Sequence, residues 1–373
     1  MKQIKCLHVS SSFQVGGIEC WLVSISKHLR CRNVLMDVMV GRSGPEPLAE
    51  KFLRYGNRVH YCGSITKPWR YAWKYIRILK NYGPYDVVHC HTGALSWFVL
   101  AIAWLFGIRV RISNSHSEYY NLDSFSKRIQ RSIFSKLIRL FSTCRIATSK
   151  SAGKSLFGNN WGDGVYEKVF YLGIDLERFS ALTETPVSKS SLAIPNDAYV
   201  VGHVGGFRPV KNHRFIIEIA VELLKVNPDT RFLLLGGGSL ENEIRQIATE
   251  RGVISNIVFT GVVSDVPAYL DVMDCFILPS IYEGLPLSLL EAQAAGIPSI
   301  ISDVITSEAD IIEDLIVRVS TMQKASIWAK AIVETFRKGR IEREEALRYF
   351  IGSPMDISVS TQTLLKLYLS HHR

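Results

Sequence analysis

The 373-residue chain has no apolar run long enough to cross a bilayer, which takes about 20 residues in a helix. Its longest such run, WFVLAIAWLF, covers only residues 97–106 and is typical of a buried helix. The first segment, MKQIKCLHVSSS, lacks the apolar core and cleavage site of a signal peptide. The seven cysteines form no Cys-x-x-Cys pair. We therefore expect a cytoplasmic protein with reduced thiols.

Acidic residues are scarce in the first half of the chain. Residues 1–180 contain 26 Lys and Arg against 11 Asp and Glu, whereas the remainder contains 18 against 23. This asymmetry predicts an anionic partner for the first half, either nucleic acid or a membrane surface. The sequence has no recognised nucleic-acid-binding motif, and its basic residues stand among bulky apolar ones, so nucleic acid is not expected.

Short apolar runs rich in β-branched residues recur along the chain, seven before residue 180 and five after residue 198. Helical patterns or loops separate most of them, which is typical of βα units around a parallel sheet. A polar stretch rich in Pro and Ser, residues 181–198, separates the two groups. The pattern predicts an α/β protein with two doubly wound, Rossmann-like domains, residues 1–180 and 181–355, and a final helix over 356–373.

The segment SIYEGLPLSLLEAQAAGIPSI, residues 280–300, places Glu283 in a loop after a strand and Glu291 inside the helix that follows. Exposed amides of Gly284 and Leu285 at the start of that helix suit a phosphate. Vicinal hydroxyls of a sugar would satisfy the partly buried Glu291 carboxylate. The spacing equally allows Glu283 to cap the helix and Glu291 to pair with a local cation.

This E-x7-E segment, with EGLP and EAQAAGIP, closely resembles the donor-site motif of retaining, GT-B fold glycosyltransferases of family 4. It is most similar to the bacterial branch that builds capsular polysaccharide and exopolysaccharide. Further matching motifs occur in the family's order over most of the chain: GGIE, DVVHCH, SNSHS, ATSKSAGKSLFG, GIDLERF, GHVGGFRPVKNH and LPSIYEGLP. The resemblance implies two domains facing a cleft, with an acceptor on the first and a UDP-sugar on the second. It also implies that the final helix returns to the first domain.

The resemblance implies roles for the residues of the second domain. Glu291 would bind the nucleotide ribose, and Glu283 would bind hydroxyls of the transferred sugar. An Arg and Lys pair would hold the diphosphate in place of a metal, so no metal and no cofactor are expected. Lys211 matches the lysine, but Gly206 stands where the arginine is expected. Arg208, two residues later, is the candidate replacement.

Glycines follow several of the predicted strands. Gly205 and Gly237 lie in loops that border the donor in the family, although GGG at 236–238 also fits a simple tight turn. The run is not G-x-G-x-x-G followed by an acidic residue, so a dinucleotide cofactor is not expected. Gly16 and Gly17 lie in a loop after the first strand, where a small backbone would let acceptor and diphosphate approach.

Histidines cluster in the first domain. Strand alternation places His89 and His91 on one side, where a metal would need further ligands, so we expect them to line the cleft. His116 matches the family's acceptor-side histidine near the transferred sugar. A positioning role is expected for His116 before that of a general base.

Two segments combine basic and bulky apolar residues. KPWRYAWKYIRILKNY covers residues 67–82, and SFSKRIQRSIFSKLIRLFS covers 124–142. In the second, an apolar stripe at helical spacing is interleaved with basic residues: Phe125, Ile129, Ile133, Leu137 and Phe141, with Lys127, Arg128, Arg131, Lys136 and Arg139. This suits an anionic leaflet and predicts peripheral attachment to the inner face of the plasma membrane. A core-facing helix with a solvated basic face would read the same way.

These features together predict a retaining, metal-independent glycosyltransferase. It would move a hexose or N-acetylhexosamine from a UDP-sugar to a lipid-diphosphate-linked glycan in surface polysaccharide synthesis. Two alternatives remain open at this stage. One is a UDP-sugar epimerase of the same fold, and the other is a catalytically weakened UDP-sugar-binding accessory subunit, which Gly206 alone favours.

Overall fold

The computed structural model describes residues 3–44, 46–116, 125–162, 164, 166–180 and 186–370, with the backbone alone for residues 125–128 and 180. The chain divides into two compact units. Unit 1 comprises residues to 173 and from 357, and unit 2 comprises residues 174–356. The division falls before residue 180 because Ile174 pairs in parallel with Asp356 and donates its N–H to the Met355 carbonyl at 2.8 Å.

Unit 1 contains a seven-stranded parallel sheet. In sequence order, its strands are β1 (Ile4–Ser10), β2 (Val34–Val40), β3 (Val59–Tyr61), β4 (Val87–Cys90), β5 (Val110–Ser115), β6 (Cys144–Ala147) and β7 (Glu167–Val169). In space, their order is β3-β2-β1-β4-β5-β6-β7. The chain therefore reverses direction across the sheet between β1 and β4, and parallel sheets bind ligands beyond the carboxyl ends of strands at such a point.

Helices connect these strands, as parallel crossovers require. They are α1 (Gly17–Arg30), α2 (Ala49–Leu53), α3 (Pro68–Tyr82), α4 (Ser96–Leu105), α5 (Phe125–Phe141) and α6 (Lys150–Phe157). Buried side chains of α3 and α4 share one core with Leu7 and Val9 of β1 and with Val88 and Cys90 of β4. Strand alternation therefore turns His8 and His89 to the opposite face of the sheet.

Unit 2 repeats the architecture with six parallel strands. They are β8 (Val200–Val204), β9 (Arg231–Leu235), β10 (Ile257–Gly261), β11 (Cys275–Leu278), β12 (Ser299–Ser302) and β13 (Ile316–Val319). In space, their order is β10-β9-β8-β11-β12-β13, so the chain reverses direction between β8 and β11. The helices are α7 (Glu177–Ser180), α8 (His213–Val226), α9 (Glu241–Glu250), α10 (Val266–Leu270), α11 (Leu287–Ala294), α12 (Ala325–Lys338) and α13 (Arg343–Phe350).

The predicted α/β class, with two doubly wound parallel sheets, is confirmed. The sequence reading missed β13, an edge strand of four residues whose alternation is broken by Arg318. The Arg318 guanidinium forms two 2.8 Å hydrogen bonds to the Asp310 carboxylate, which satisfies its charge locally. Helix α11 is largely buried, whereas α4, which was also predicted to be buried, exposes Trp104 and Leu105 at its end.

The last helix, α14 (Ile357–Leu369), belongs to unit 1 and packs against α1. Its buried positions follow one helical stripe: Ile357, Ser360, Thr361, Leu364 and Tyr368. The stripe brings the fully buried Tyr368 to the face of the sheet that carries His8 and His89. Across the described ranges, no helix has the length and apolarity that a membrane span requires.

Candidate active site

In unit 2 the loops that follow β8 and β11 are bonded to each other where the chain reverses across the sheet. The amide of Ile281 donates to the Val210 carbonyl at 2.9 Å, and Asn212 Nδ2 donates to the Pro279 carbonyl at 3.2 Å. Two loops far apart in sequence are thereby held as one surface. This edge of the sheet is where a doubly wound domain binds its ligand.

Lys211 and Glu283 form an ion pair on this surface. Lys211 Nζ donates to Glu283 Oε1 at 2.6 Å, and Ser280 Oγ donates to the same oxygen at 2.8 Å. Both side chains are largely buried, at 18% and 14% exposure, so each needs the other's charge. Neither bond uses Oε2 of Glu283, so this oxygen can accept hydrogen bonds from another group. The alternative that Glu283 caps α11 is wrong, because the cap residue is Pro286 and α11 has no side-chain cap bond.

Glu291 lies in the second turn of α11. Burial raises the pKa of its carboxyl, and nearby Asp265 adds to that rise, while Arg178 opposes it. Arg178 Nη1 is 3.8 Å from Glu291 Oε1, which is longer than a hydrogen bond, and Arg178 also approaches Asp265 at 3.5 Å. Arg178 is therefore the local cation that the sequence left open, and it leaves Glu291 able to accept further hydrogen bonds.

Arg208 is exposed at the start of a short 3-10 turn, Pro209–Lys211. Its side chain folds back over Gly206, since a Cβ built on Gly206 would lie 3.7 Å from Arg208 Nε. The Nε atom of the Arg208 guanidinium therefore lies close to the position that the Cβ of a larger residue at 206 would take. Gly206 leaves that space open.

The glycines after β8 and β9 allow two backbone segments to pass very close together. A Cβ on Gly236, whose φ is +138°, would lie 2.3 Å from the Gly205 carbonyl oxygen. Phe207 donates its N–H to the Gly237 carbonyl at 3.0 Å. A Cβ on Gly205 would also press on the aliphatic chain of Lys211 at 3.2 Å. The GGG run therefore serves this close approach rather than only a tight turn.

Four predicted positions differ from expectation. Gly284 and Leu285 are buried rather than exposed, because the apolar side chain of Leu285 packs inward just before α11. Gly17 is the first residue of α1 and Gly16 is its N-cap, so these two glycines do not form a free loop. A Cβ on Gly16 would lie 2.7 Å from an oxygen of Glu19, which explains the glycine by a contact within the chain.

Unit 1 contains a buried chain of hydrogen-bonded rings on the face of the sheet opposite α3 and α4. We call it the histidine array: His8, His89, His91, His116 and Tyr368. Its contacts are His89 Nδ1 to Tyr368 OH at 3.2 Å, Tyr368 OH to His8 Nε2 at 2.9 Å, His8 Nδ1 to His91 Nε2 at 2.9 Å, and His91 Nδ1 to His116 Nε2 at 2.7 Å. The expectation that His89 lines a cleft is wrong, because His89 is fully buried beneath Tyr368.

Burial keeps the array uncharged. It lowers the pKa of His8 and of His116 to about 3, and it lowers the pKa values of His89 and His91 well below their usual range. Neutral imidazoles are suitable metal ligands, and ring nitrogens of His8, His89 and His91 lie within 4.8 Å of one another. That group includes no anionic ligand, and the rings of His89 and His91 are stacked at 4.4 Å. A divalent ion there would be buried with its charge uncompensated.

A second surface of unit 1 carries exposed aromatic residues. On α3, Trp69 and Trp73 are 80% and 57% exposed, although Tyr71 and Tyr75 on the other side of the helix are buried. Arg77 lies 4.7 Å over the Trp73 ring. Neighbouring helices add further exposed apolar residues: Trp104, Leu105, Ile129, Ile133 and Leu140. Phe125, Lys127 and Arg128 have side chains outside the described part. We call this surface the aromatic–basic face.

Comparisons with known proteins identify the family. The model for glycosyl transferases group 1 matches residues 184–348, and that for glycosyltransferase family 4 matches residues 15–178. EpsF of Bacillus subtilis (strain 168), described as a glycosyltransferase, is 32% identical over 98% of this chain and 96% of its own length. The chain belongs to this family of glycosyltransferases.

Other relatives and one solved structure agree with this membership. The capsular polysaccharide biosynthesis glycosyltransferase CapH of Staphylococcus aureus is 24% identical over 98% of this chain and 99% of its own. The UDP-Gal:alpha-D-GlcNAc-diphosphoundecaprenol alpha-1,3-galactosyltransferase of Escherichia coli is 27% identical over 59% of this chain and 58% of its own. Anabaena Alr3699/HepE in complex with UDP-glucose superposes with a TM-score of 0.79 at 17% identity, over 99% of this chain and all of that chain. The predicted GT-B fold and the link to capsular and exopolysaccharide biosynthesis are confirmed.

Sequence reasoning missed several residues of the two clusters, the one around Lys211 and Glu283 in unit 2 and the histidine array in unit 1. Ser280 and Arg178, which contact the two glutamates, stand in quoted motifs but carry no spacing signal of their own. His8 could have been found, since it lies on β1 and β1 neighbours β4 in doubly wound sheets. Tyr368 gave no local signal, because its role depends on where α14 packs.

The buried histidines predict acid sensitivity. In the folded chain the pKa values of His8, His89, His91 and His203 lie below the unfolded value of about 6.5, and burial lowers that of His213 to about 4. Their contribution is complete above about pH 6.5 and is lost as pH falls toward the lowered values. At pH 5 each such histidine costs about 2 kcal/mol of unfolding free energy. Urea titrations from pH 7.5 to 5 should show this loss of unfolding free energy. The unfolding free energy of His213→Asn should fall less steeply with pH than that of wild type. A stability that stays constant over this range would contradict it.

Proposed function

We propose that this glycosyltransferase takes its sugar from a UDP-sugar, without a metal ion, and retains the anomeric configuration. The observation that carries the proposal is the ion pair of Lys211 and Glu283 at the switch point of unit 2, with Oε2 of Glu283 unoccupied by either bond. A cation for phosphate and an acceptor for hydroxyls thus stand side by side, which is what a nucleotide-sugar requires.

The chemistry follows from the charge that must be stabilised. Breaking the bond between sugar and UDP leaves negative charge on the diphosphate, and fixed cations lower the cost of that charge. Lys211 has three N–H donors, so it can bind a phosphate oxygen while it stays beside Glu283. Arg208, folded over Gly206, supplies the second cation.

The two glutamates would hold the donor at its two ends. Oε2 of Glu283 accepts from hydroxyls of the transferred sugar, while Ser280 and Lys211 fix the carboxylate through Oε1. Glu291 accepts from the ribose, because Arg178 at 3.8 Å leaves its carboxylate oxygens able to accept hydrogen bonds. The UDP and UDP-glucose complexes of the similarly folded HepE support UDP as the nucleotide.

The acceptor side is proposed to involve unit 1. His116 would position the acceptor, with His91 bonded to it and Gly16 in the same unit. The resemblance to the Escherichia coli enzyme, whose acceptor is a diphosphoundecaprenol-linked GlcNAc, supports a lipid-diphosphate-linked glycan as the acceptor. A lipid-linked acceptor in turn calls for a membrane-binding surface.

The aromatic–basic face is proposed to bind an anionic leaflet. Trp69, Trp73 and Arg77 lie one turn apart along the exposed side of α3, and amphipathic aromatic rings beside cations favour the headgroup region. The alternative that the apolar side chains of this segment all face the protein core is wrong for Trp69 and Trp73, which are exposed. Peripheral attachment through this face would hold the enzyme beside a lipid-linked substrate.

Separate effects are expected for the two glutamates. Glu283→Ala should lower kcat by about 10- to 100-fold, because it removes a charged hydrogen bond to the transferred sugar. A smaller loss of UDP affinity should accompany it, because Lys211 loses its partner. Glu291→Ala should weaken UDP binding by a similar factor. Steady-state kinetics with calorimetric UDP binding measures both. Glu313→Ala, at an exposed position of unit 2, serves as the control. Unchanged values in both variants would overturn the donor-site assignment.

Membrane binding should depend on the two exposed tryptophans of α3. Trp69→Ser with Trp73→Ser should lower the affinity for phosphatidylglycerol-containing vesicles about tenfold, because apolar area leaves the interface. Co-sedimentation measures this, with phosphatidylcholine vesicles for comparison. Ile327→Ser with Ile351→Ser removes exposed apolar side chains from unit 2 and should leave binding unchanged. Equal binding by wild type and the tryptophan variant would contradict the proposal.

A further inference from the structure

The histidine array extends from His116 into the core of unit 1, and donor binding requires none of its inner members. Each neutral imidazole has one N–H and one bare nitrogen, so neighbours in a chain must alternate donor and acceptor. Once one bond has a direction, all the others follow. The tautomer of His116 is therefore determined by the far end of the array, at Tyr368.

The geometry at Tyr368 sets that direction. Its hydroxyl lies 2.9 Å from His8 Nε2 and 3.2 Å from His89 Nδ1. A phenol donates strongly to an imidazole nitrogen, and the shorter contact is the one in which the O–H donates. Cys6 also contacts Tyr368, but sulfur is a weak acceptor beside an imidazole nitrogen. Tyr368 therefore donates to His8 and accepts from His89.

The remaining bonds then have one arrangement. His8 Nε2 accepts, so His8 Nδ1 carries the hydrogen and donates to His91 Nε2. His91 Nδ1 in turn donates to His116 Nε2. His116 is left with its hydrogen on Nδ1, an atom that has no partner among the described residues.

The unpartnered atoms favour the same direction. At the inner end, His89 Nε2 is buried without a partner. In this arrangement that atom is a bare acceptor. In the reverse arrangement it would be a buried N–H without an acceptor, and His116 Nδ1 would be the bare acceptor, so either direction leaves one N–H without a partner among the described residues. His89 is fully buried whereas His116 is half-buried, so the unpartnered N–H costs less at His116. This difference in burial agrees with the direction set at Tyr368.

We propose that Tyr368, acting through His8 and His91, fixes His116 as the Nδ1–H tautomer, so that His116 is a hydrogen-bond donor. The proposal rests on the proposed function for its substrate: the N–H would donate to an oxygen of the bound acceptor. His116 cannot take a proton at Nδ1, and Nε2 is engaged by His91. Tyr368, His8 and His91 are positioning residues in this account, which makes α14 necessary for the catalytic geometry of unit 1.

The tautomers can be read directly by nitrogen NMR of protein labelled with ¹⁵N-histidine, with His116 assigned from a His116→Gln sample. In wild type, His116 should carry its hydrogen on Nδ1 and have a bare Nε2. In Tyr368→Phe both tautomers of His116 should appear. An Nε2–H tautomer in wild type, or the same single tautomer in Tyr368→Phe, would overturn the proposal.

Activity supplies the second readout. Tyr368→Phe should lower kcat about tenfold, the equivalent of one hydrogen bond, while UDP affinity stays unchanged. Tyr75→Phe is the matched control, because Tyr75 is fully buried in unit 1 and its hydroxyl has no partner among the described residues. It should leave kcat and the His116 tautomer as in wild type. An equal loss of kcat in both variants would indicate that Tyr368 contributes only packing, and it would overturn the proposal.

Two further outcomes separate the possible failures. If wild type neither binds UDP nor transfers a sugar but shows the expected tautomer, the proposed function is refuted. The proposed arrangement of hydrogen bonds in the array is then still supported. Stoichiometric zinc that co-purifies with wild type and is lost in His8→Gln would overturn the array proposal, since a metal would then occupy His8 Nδ1. Elemental analysis of the purified chain decides this point.

Discussion

The ion pair of Lys211 and Glu283 is the interaction on which the proposed donor site depends. Each charge is largely buried, and each would be costly alone, so the pair fixes where the loops after β8 and β11 meet. Gly205 and Gly236 contribute to the same surface, because the absence of a side chain lets the two backbone segments approach each other. Gly205 also leaves room for the aliphatic chain of Lys211. The sheet order then places all of these groups at one reversal point.

The fold was predictable because periodicity and strand composition are local properties. Every predicted apolar run of the first half is a strand, whereas β13 escaped because Arg318 interrupts a run of four residues. The resemblance assigned Lys211 and Glu283 to one donor site, but their 2.6 Å ion pair was not predicted. The partner of Glu291 could not be read, because Arg178 reaches α11 only through tertiary packing.

Unit 1 shows more clearly what a local sequence pattern cannot predict. The HCH pattern of β4 predicted that His89 and His91 line a cleft, but whether a strand face is covered depends on distant helices. Here α14, from the end of the chain, covers His89 and supplies Tyr368. Burial lowers the pKa values of four histidines there, and Tyr368 joins His89 to His8 in the hydrogen-bonded chain. In both units, polar groups at the reversal point of the sheet are held by partners from distant segments.

The central claim is that the chain's own cations replace a metal at the diphosphate. The most direct test is calorimetric titration of UDP in the presence of EDTA, on wild type, Arg208→Ala and the exposed control Arg251→Ala. The account predicts metal-free binding that weakens sharply in Arg208→Ala and is unchanged in the control. Absence of binding under EDTA, or an Arg208→Ala variant that binds as wild type does, would contradict it.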